Sequence, residues 1–236
     1  MRVVEKSPIY RAVKLSVKRF LGWEVKPSVK KSIKLQKVGD WGFLPDQLSR
    51  YSVVYSFGVG DDIDFDVCVA ERVGCSVYCF DPTIDGSLIS SRSEKDGLDM
   101  HFYPWAVSGD NGKINLFQRT NSKGRYSGMY TLSGSDGCGV ETLQAQAYTV
   151  RSIMSVLRHP TPSLVKFDVE GAEYVALDKM VEEGVFPKQL LVEFHHRFQK
   201  FSISDTKRII EKLESSGYKI ISVSKTGREF VFARLR

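Results

Sequence analysis

Cysteine and histidine are scarce, with four of each in 236 residues. The cysteines (Cys68, Cys75, Cys79 and Cys138) form no CxxC pair, and no histidine lies at finger spacing from them. That argues against a zinc site or a disulfide framework and for a reducing compartment. Cys68 and Cys79 sit in apolar surroundings and read as small core residues. No apolar run approaches the roughly 18–20 residues that span a bilayer. The N-terminal stretch also lacks the roughly 7–15-residue apolar core of a secretory signal. Internal repeats and long low-complexity tracts are missing as well. A cytoplasmic protein is therefore expected, long enough for one sizeable domain with an appendage.

Acid is scarce in one region only. Residues 1–37 hold eleven Lys/Arg against Glu5 and Glu24, a net +9. The whole chain carries +6, so the remainder stands at 6 − 9 = −3. The basicity belongs to a leader, and nucleic acid is not an expected partner. Within that leader Ile9, Val13, Val17 and Phe20 recur at helical spacing, with Arg11, Lys14 and Lys18 on the opposite side. Leu15 and Ser16 break the pattern. Such a helix either packs on the domain with its lysines solvated or makes peripheral contact with an anionic membrane surface or a partner. Residues 26–37 read as a linker, giving a leader over 1–37 and a main domain over 38–236.

The main domain alternates strands and helices. "SVVYSF" (52–57) is followed by a glycine turn and a helix over about 62–73, then by the strand "SVYCF" ending at Asp81-Pro82. After a variable Ser/Asp-rich segment, "MHFYPWAVS" reads as a third strand and "GKINLF" as an extra one. Residues 121–139 are Gly/Ser-rich and read as a surface loop. "TVRSIMSVL" is helical and leads into "SLVKFDV", a helix over about 171–183, and "QLLVEFHH". "SDTKRIIEKLESSG" is a helix with a Ser or Asp cap and a closing Gly217. "YKIISVS" and "REFVFARL" flank a "KTG" turn as a hairpin. The expected architecture is α/β: a mainly parallel sheet, helices on both faces and one antiparallel strand at the end.

In such sheets ligands bind beyond the carboxyl ends of the strands. Gly58 and Gly60 lie at the first of these ends, where bare backbone permits positive φ and close approach of a ligand. Asp81 ends the second strand, 21 residues after Gly60, where a carboxylate accepts hydrogen bonds from both ribose hydroxyls. A dinucleotide site wants a third small residue three positions after Gly60, but Ile63 stands there. Asp61, Asp62 and Asp64 follow the turn and would oppose a pyrophosphate. A cation suits them better, and S-adenosylmethionine carries a sulfonium and an ammonium but no phosphate. The plainer alternative is that Asp61 and Asp62 only cap the helix.

A second group of residues sits at the ends of the fourth and fifth strands. Asp168 and Glu170 share one side, and Glu193 and His195 share another, with His196 adjacent. Methyl transfer to a hydroxyl or amine needs positioning and a destination for the acceptor proton, a task His195 or His196 can perform. The same cluster has the composition of a divalent-metal site, although no tight spacing such as HExxH favours one. Lys166 reads as an ion-pair partner, and Glu173 as a helix cap or a solvated residue.

"VVYSFGVGDDIDF", "GCSVYCFDPT", "LVKFDVEGAEYVAL" and "QLLVEFHHRF" resemble the motifs of FkbM-type S-adenosylmethionine-dependent methyltransferases, in the branch whose first strand reads "YSFG". The resemblance covers roughly 51–236 and is most specific in "DVEGAE" and "VEFH". It implies a class I methyltransferase (Rossmann-like) fold whose seven-stranded sheet has an antiparallel last strand. It also implies a cofactor site at Phe57, Gly58, Gly60, Asp61, Asp81 and Pro82, with Trp105 and Ala106 on the adenine side and Asp168 at the methionine end. Catalytic candidates are then Asp168, Glu170, Glu193, His195 and His196, acting on a sugar hydroxyl of a glycan or a related small molecule. The first turn lacks the longer Gly/Asn-rich form common in the family, so the acceptor stays open. Two other readings remain: a non-catalytic module that binds adenosine ligands and docks through its basic leader, and an NAD-dependent oxidoreductase, which Ile63 and the acidic turn oppose.

Overall fold

The computed structural model describes residues 8–30, 33–120, 126–131, 142–197 and 201–235. Ahead of the main sheet lie helix α1 (Pro8–Phe20) and a short hairpin of β1 (Gln36–Val38) and β2 (Trp41–Phe43). The first half of the sheet follows as β3 (Val53–Phe57), α2 (Asp64–Val73), β4 (Ser76–Phe80), α3 (Ser87–Asp96) and β5 (Met100–Tyr103). Next come β6 (Trp105–Val107), β7 (Gly112–Thr120), β8 (Tyr126–Thr131) and β9 (Thr142–Tyr148). The second half comprises α4 (Val150–Leu157), β10 (Leu164–Phe167), α5 (Glu173–Glu182), β11 (Gln189–Glu193) and α6 (Ile203–Ser215), then β12 (Lys219–Val223) and β13 (Glu229–Ala233).

Seven strands form one sheet in the order β12-β13-β11-β10-β3-β4-β5. Every pairing from β11 across to β5 is parallel, while β13 runs antiparallel to both of its neighbours. Strands buried on both faces should be apolar throughout, and "VVYSF", "LVKF" and "QLLVE" are nearly so. Alternate residues feed two cores. Tyr55, Phe57, Val165 and Phe167 pack with α4, α5 and α6, whereas Val54 and Leu164 pack with α2, α3 and the β1–β2 hairpin. From β3 the chain proceeds outward through β4 to β5; it returns at β10, on the other side of β3, and proceeds outward again through β11. The β3–β10 junction is thus the switch point at which such sheets open a crevice.

Several local readings change. "MHFYPWAVS" is two strands, because Pro104 has no N–H for the ladder: β5 stays in the main sheet and β6 leaves it. The strand β6 joins a second, four-stranded sheet of order β6-β9-β7-β8. The extra strand read from "GKINLF" is β7, and β8 falls inside the segment read as a loop; residues 121–125 and 132–141 lie outside the described residues. The Ser/Asp-rich segment contains α3, held between Gly86 and Gly97, and its periodicity was weak because Ile89 is its one buried residue. Helix α6 is capped by Ser202 in a reciprocal capping box with Asp205. The segment read as linker, 26–37, runs against the domain at its described start: Val25 just ahead of it is in the core, Val29 packs on that core, and the Lys30 N–H donates to Ile220 O. Among the described residues no helix is long and apolar enough to cross a membrane.

Candidate active site

The carboxyl ends of β3, β4, β10 and β11 open into a cavity of about 530 Å³. Its floor is the turn after β3. Gly58 has φ +73°, and a Cβ there would stand 1.8 Å from the carbonyl oxygen of Asp168. Only glycine lets β3 and β10 close this far. Gly60 has φ +58° with open space where a Cβ would point, so its backbone faces the cavity bare. The turn is held by Asp81. One carboxylate oxygen accepts from the Gly60 N–H at 2.9 Å, and the other accepts from the Thr83 N–H at 2.8 Å and its hydroxyl at 2.6 Å. Asp61 and Asp62 are exposed at the rim, and Asp62 also accepts from the Asp64 N–H at 3.2 Å. Ile63, at the position of the missing third glycine, is buried in the core and so closes off the room a pyrophosphate loop would need.

One wall is aromatic and aliphatic. Trp105 leans on Tyr103 at 4.6 Å between ring centroids, on Tyr148 at 4.9 Å and on Phe80 at 6.2 Å. Ala106, Val107, Ile114, Leu116 and Tyr130 continue this wall, and all but Tyr130 come from β6 and β7. Phe57, Pro82 and Thr83 complete the side nearest the glycine turn. Every residue assigned from the sequence to cofactor binding (Phe57, Gly58, Gly60, Asp61, Asp81, Pro82, Trp105, Ala106 and Asp168) borders this one cavity.

The opposite wall is acidic. Asp168, Glu170 and Glu193 border the cavity, and Arg228 from the β12–β13 turn reaches Glu193 at 2.8 Å. Burial, and then the neighbouring Asp168 carboxylate, push the Glu193 carboxyl up to about 8. Lys166 lies under the floor, 3.6 Å from Asp168, near the fully buried Asp66, whose carboxyl burial also pushes up. Glu170 has φ +49°, a strained conformation for a side-chain-bearing residue and one that collects at functional sites.

The two histidines do not border the cavity. His195 is buried behind the acidic wall: its backbone N–H and Nδ1 both meet Glu173 Oε1, at 2.9 and 3.1 Å. Its Nε2 stands 3.6 Å from Glu170 and 3.7 Å from Glu193. Burial works against the charged ring, but Glu173, Glu170 and Glu193 more than reverse this and lift His195 to about 9. From there it braces Glu173, Glu170 and Glu193, whose charges favour the protonated ring. His196 turns away to Glu24 on the leader, at 3.0 Å, where Arg197 joins at 2.6 Å. Glu173, expected as a helix cap or a solvated residue, is fully buried and also accepts from the Gly171 N–H at 2.8 Å. Its place at the start of α5, three residues after Glu170, is the available signal. Arg228 and the β7–β8 wall carried no comparable signal, since both reach the cavity through tertiary packing. Asp168, Glu193 and His195 offer ligand atoms within 4.8 Å of one another, a set a divalent ion can use.

Strand order, antiparallel β13 and a crevice at the switch point together define a class I methyltransferase fold. The methyltransferase FkbM domain model matches residues 21–220, and the chain belongs to the FkbM methyltransferase family. Its structure is similar to that of methyltransferase FkbM from Methylobacillus flagellatus KT, with a TM-score of 0.53 at 11% identity. That match covers 95% of this chain and 53% of the other, so the chain spans about half the relative's length. Weaker likenesses link it to a fibrillarin pre-rRNA processing protein from Methanococcus jannaschii (TM-score 0.44, 14% identity, 89% and 86% covered). Another is to the Burkholderia thailandensis 1,6-didemethyltoxoflavin-N1-methyltransferase (TM-score 0.37, 12% identity, 78% and 70% covered). No curated protein sequence matches the chain.

Proposed function

We propose that the cavity binds S-adenosylmethionine and that the protein transfers its methyl group to a hydroxyl of a small molecule, a sugar or glycan being the favoured class. The observation that carries this reading is the bare, acid-rimmed turn at Gly58–Gly60, locked to Asp81 at the switch point of the sheet. The residues fit this group: open backbone at Gly60, an apolar wall around Trp105 for a flat ring, and carboxylates facing cationic centres. Asp81 retains lone pairs for ribose hydroxyls beyond those used by Gly60 and Thr83. When bound, the cofactor supplies an electrophilic methyl group.

The chain's own residues then have two tasks. Asp168 and Glu193 lie side by side, and two ionised carboxylates at this spacing repel. The pair therefore takes up a proton near neutral pH, as a base for an acceptor hydroxyl must. Arg228 and the His195 imidazolium orient the carboxylates and keep that proton affinity from rising further. The apolar wall from β6 and β7 excludes water from the side where the flat ring would lie.

The test is calorimetric titration with S-adenosylmethionine, S-adenosylhomocysteine and NAD, on the native protein and on Asp81→Ala. Both adenosyl ligands should bind and NAD should not. The variant should lose about 1–3 kcal/mol of affinity, the cost of leaving polar partners unmatched. NAD binding, or an unchanged affinity in the variant, would overturn the assignment of the turn.

A further inference from the structure

Helix α1 is amphipathic but sits on the domain the wrong way round for a soluble protein. The face turned inward carries Leu15, whose methyl groups press on Gly227 in the β12–β13 turn. Beside it Lys18 approaches Glu24 at 3.8 Å, and the Arg19 Nε donates to Val25 O at 3.1 Å. The apolar stripe points outward. Phe20 is 91% exposed, Trp23 65%, Val13 57% and Val17 50%. Isolated exposed hydrophobic residues are ordinary, but a contiguous stripe ending in two aromatics marks a contact surface.

The surroundings of the stripe select its occupant. Lys14, Lys26 and Lys30 are exposed along the same segment, Lys26 beside a groove that also holds Glu211 and Glu214 of α6, and Glu24, the one acid between residues 8 and 38, is buried in its bonds to His196 and Arg197. A second copy of the chain would bring the same +9 of residues 1–37 against itself. An anionic bilayer offers what the stripe lacks: an apolar layer for the rings and negative headgroups for the lysines. We propose that α1 and the segment to Trp23 dock the protein in-plane on an anionic membrane surface.

The mooring gives this docking a consequence for the site. Leu15 rests on Gly227, and the next residue, Arg228, borders the cavity. Glu24 is held by His196 and Arg197, directly after the end of β11. The helix therefore lies at the sheet end that carries the cavity, and a docked molecule keeps that rim next to the headgroup layer. The docking itself does not depend on the proposed chemistry.

Sedimentation of the full chain with vesicles tests it, using phosphatidylcholine alone and phosphatidylcholine containing a minority of phosphatidylserine. Binding should require the anionic lipid and weaken with salt. The double variant Phe20→Ser, Trp23→Ser and the double variant Lys14→Glu, Lys26→Glu should each weaken it by roughly tenfold or more. These side chains are exposed, so both variants should keep the native circular dichroism. Binding to neither vesicle, or equal binding by the native chain and the aromatic variant, would overturn the proposal. So would concentration-dependent dimerisation abolished by Phe20→Ser without vesicles, which would assign the stripe to a second copy.

Discussion

Replacing Gly58 with alanine probes the closest backbone approach in the site. Two penalties add. The residue holds φ +73°, and a side chain in that left-handed region costs about 1–2 kcal/mol. The new Cβ would also lie 1.8 Å from the Asp168 carbonyl oxygen and 2.7 Å from its carbon. Those are backbone atoms with no rotamer to escape into, so the ends of β3 and β10 must part by about an ångström. Overpacking of that kind costs about 1–3 kcal/mol. The expected loss is about 2–5 kcal/mol, a large share of the ~5–15 kcal/mol that holds a domain together. Gly60→Ala is the control: its φ is also positive at +58°, but nothing lies within 4 Å of the added methyl. It should lose only the conformational part, about 1–2 kcal/mol. Urea denaturation followed by circular dichroism, with m unchanged, reads both values. Equal losses in the two variants would refute the claim that Gly58 serves strand closure.

Two further predictions concern buried charge. His195 is lifted from an ordinary 6.5 to about 9, so its stabilising contribution is complete below about pH 6.5 and lost as pH rises through 9. The Glu193 carboxyl, raised from 4.5 to about 8, acts in the same sense, its contribution complete below about pH 4.5 and lost as pH rises through 8. Stability should therefore fall across that window, and Glu173→Gln, which removes the charge behind the ring, should flatten the decline and lower the imidazole titration seen by NMR. An undiminished slope and an unmoved titration in the variant would remove Glu173 from this role. Glu24 behaves oppositely. Burial works to raise it, but the bonds from His196 and Arg197 prevail and hold it at about 2, against an ordinary 4.5. Its contribution is present above pH 4.5 and lost as pH falls toward 2. Glu24→Gln should remove part of that acid limb and destabilise the neutral protein by an amount toward the lower end of the ~3–5 kcal/mol seen when a buried pair is broken. A neutral change would mean that His196 and Arg197 find other partners.

What could be read from the chain depended on how local each determinant was. Strands β3, β4 and β10 announced themselves as short apolar runs followed by Gly or Asp, and β11 as an apolar run ending at Glu193, because a strand buried on both faces has no other composition available. Helix α6 and the terminal hairpin carried their own caps and turn. The small second sheet escaped notice, since "TLQAQAY" alternates small and polar residues and β8 lies in a Gly/Ser-rich stretch; their pairing with β7 is non-local. Helix α3 escaped because it buries one residue.

The same division holds at the site. Strand–GxG–helix–strand–Asp is a local sequence of elements, and the parallel sheet obliges its loops to emerge at one end, so Gly58, Gly60, Asp81, Asp168 and Glu193 could be assigned to one crevice from the chain alone. The burial of Glu173, the bracing of His195, the turning of His196 to Glu24 and the arrival of Arg228 from the last hairpin rest on contacts between residues 22 to 172 positions apart or on neighbouring strands. Side-chain type states what a residue can bond to, but only packing states which partner is within reach and whether water competes for it. For that reason the glycine turn and its acid were determined by the sequence, while which carboxylates keep protons, and which face of α1 meets the solvent, were decided by the tertiary structure.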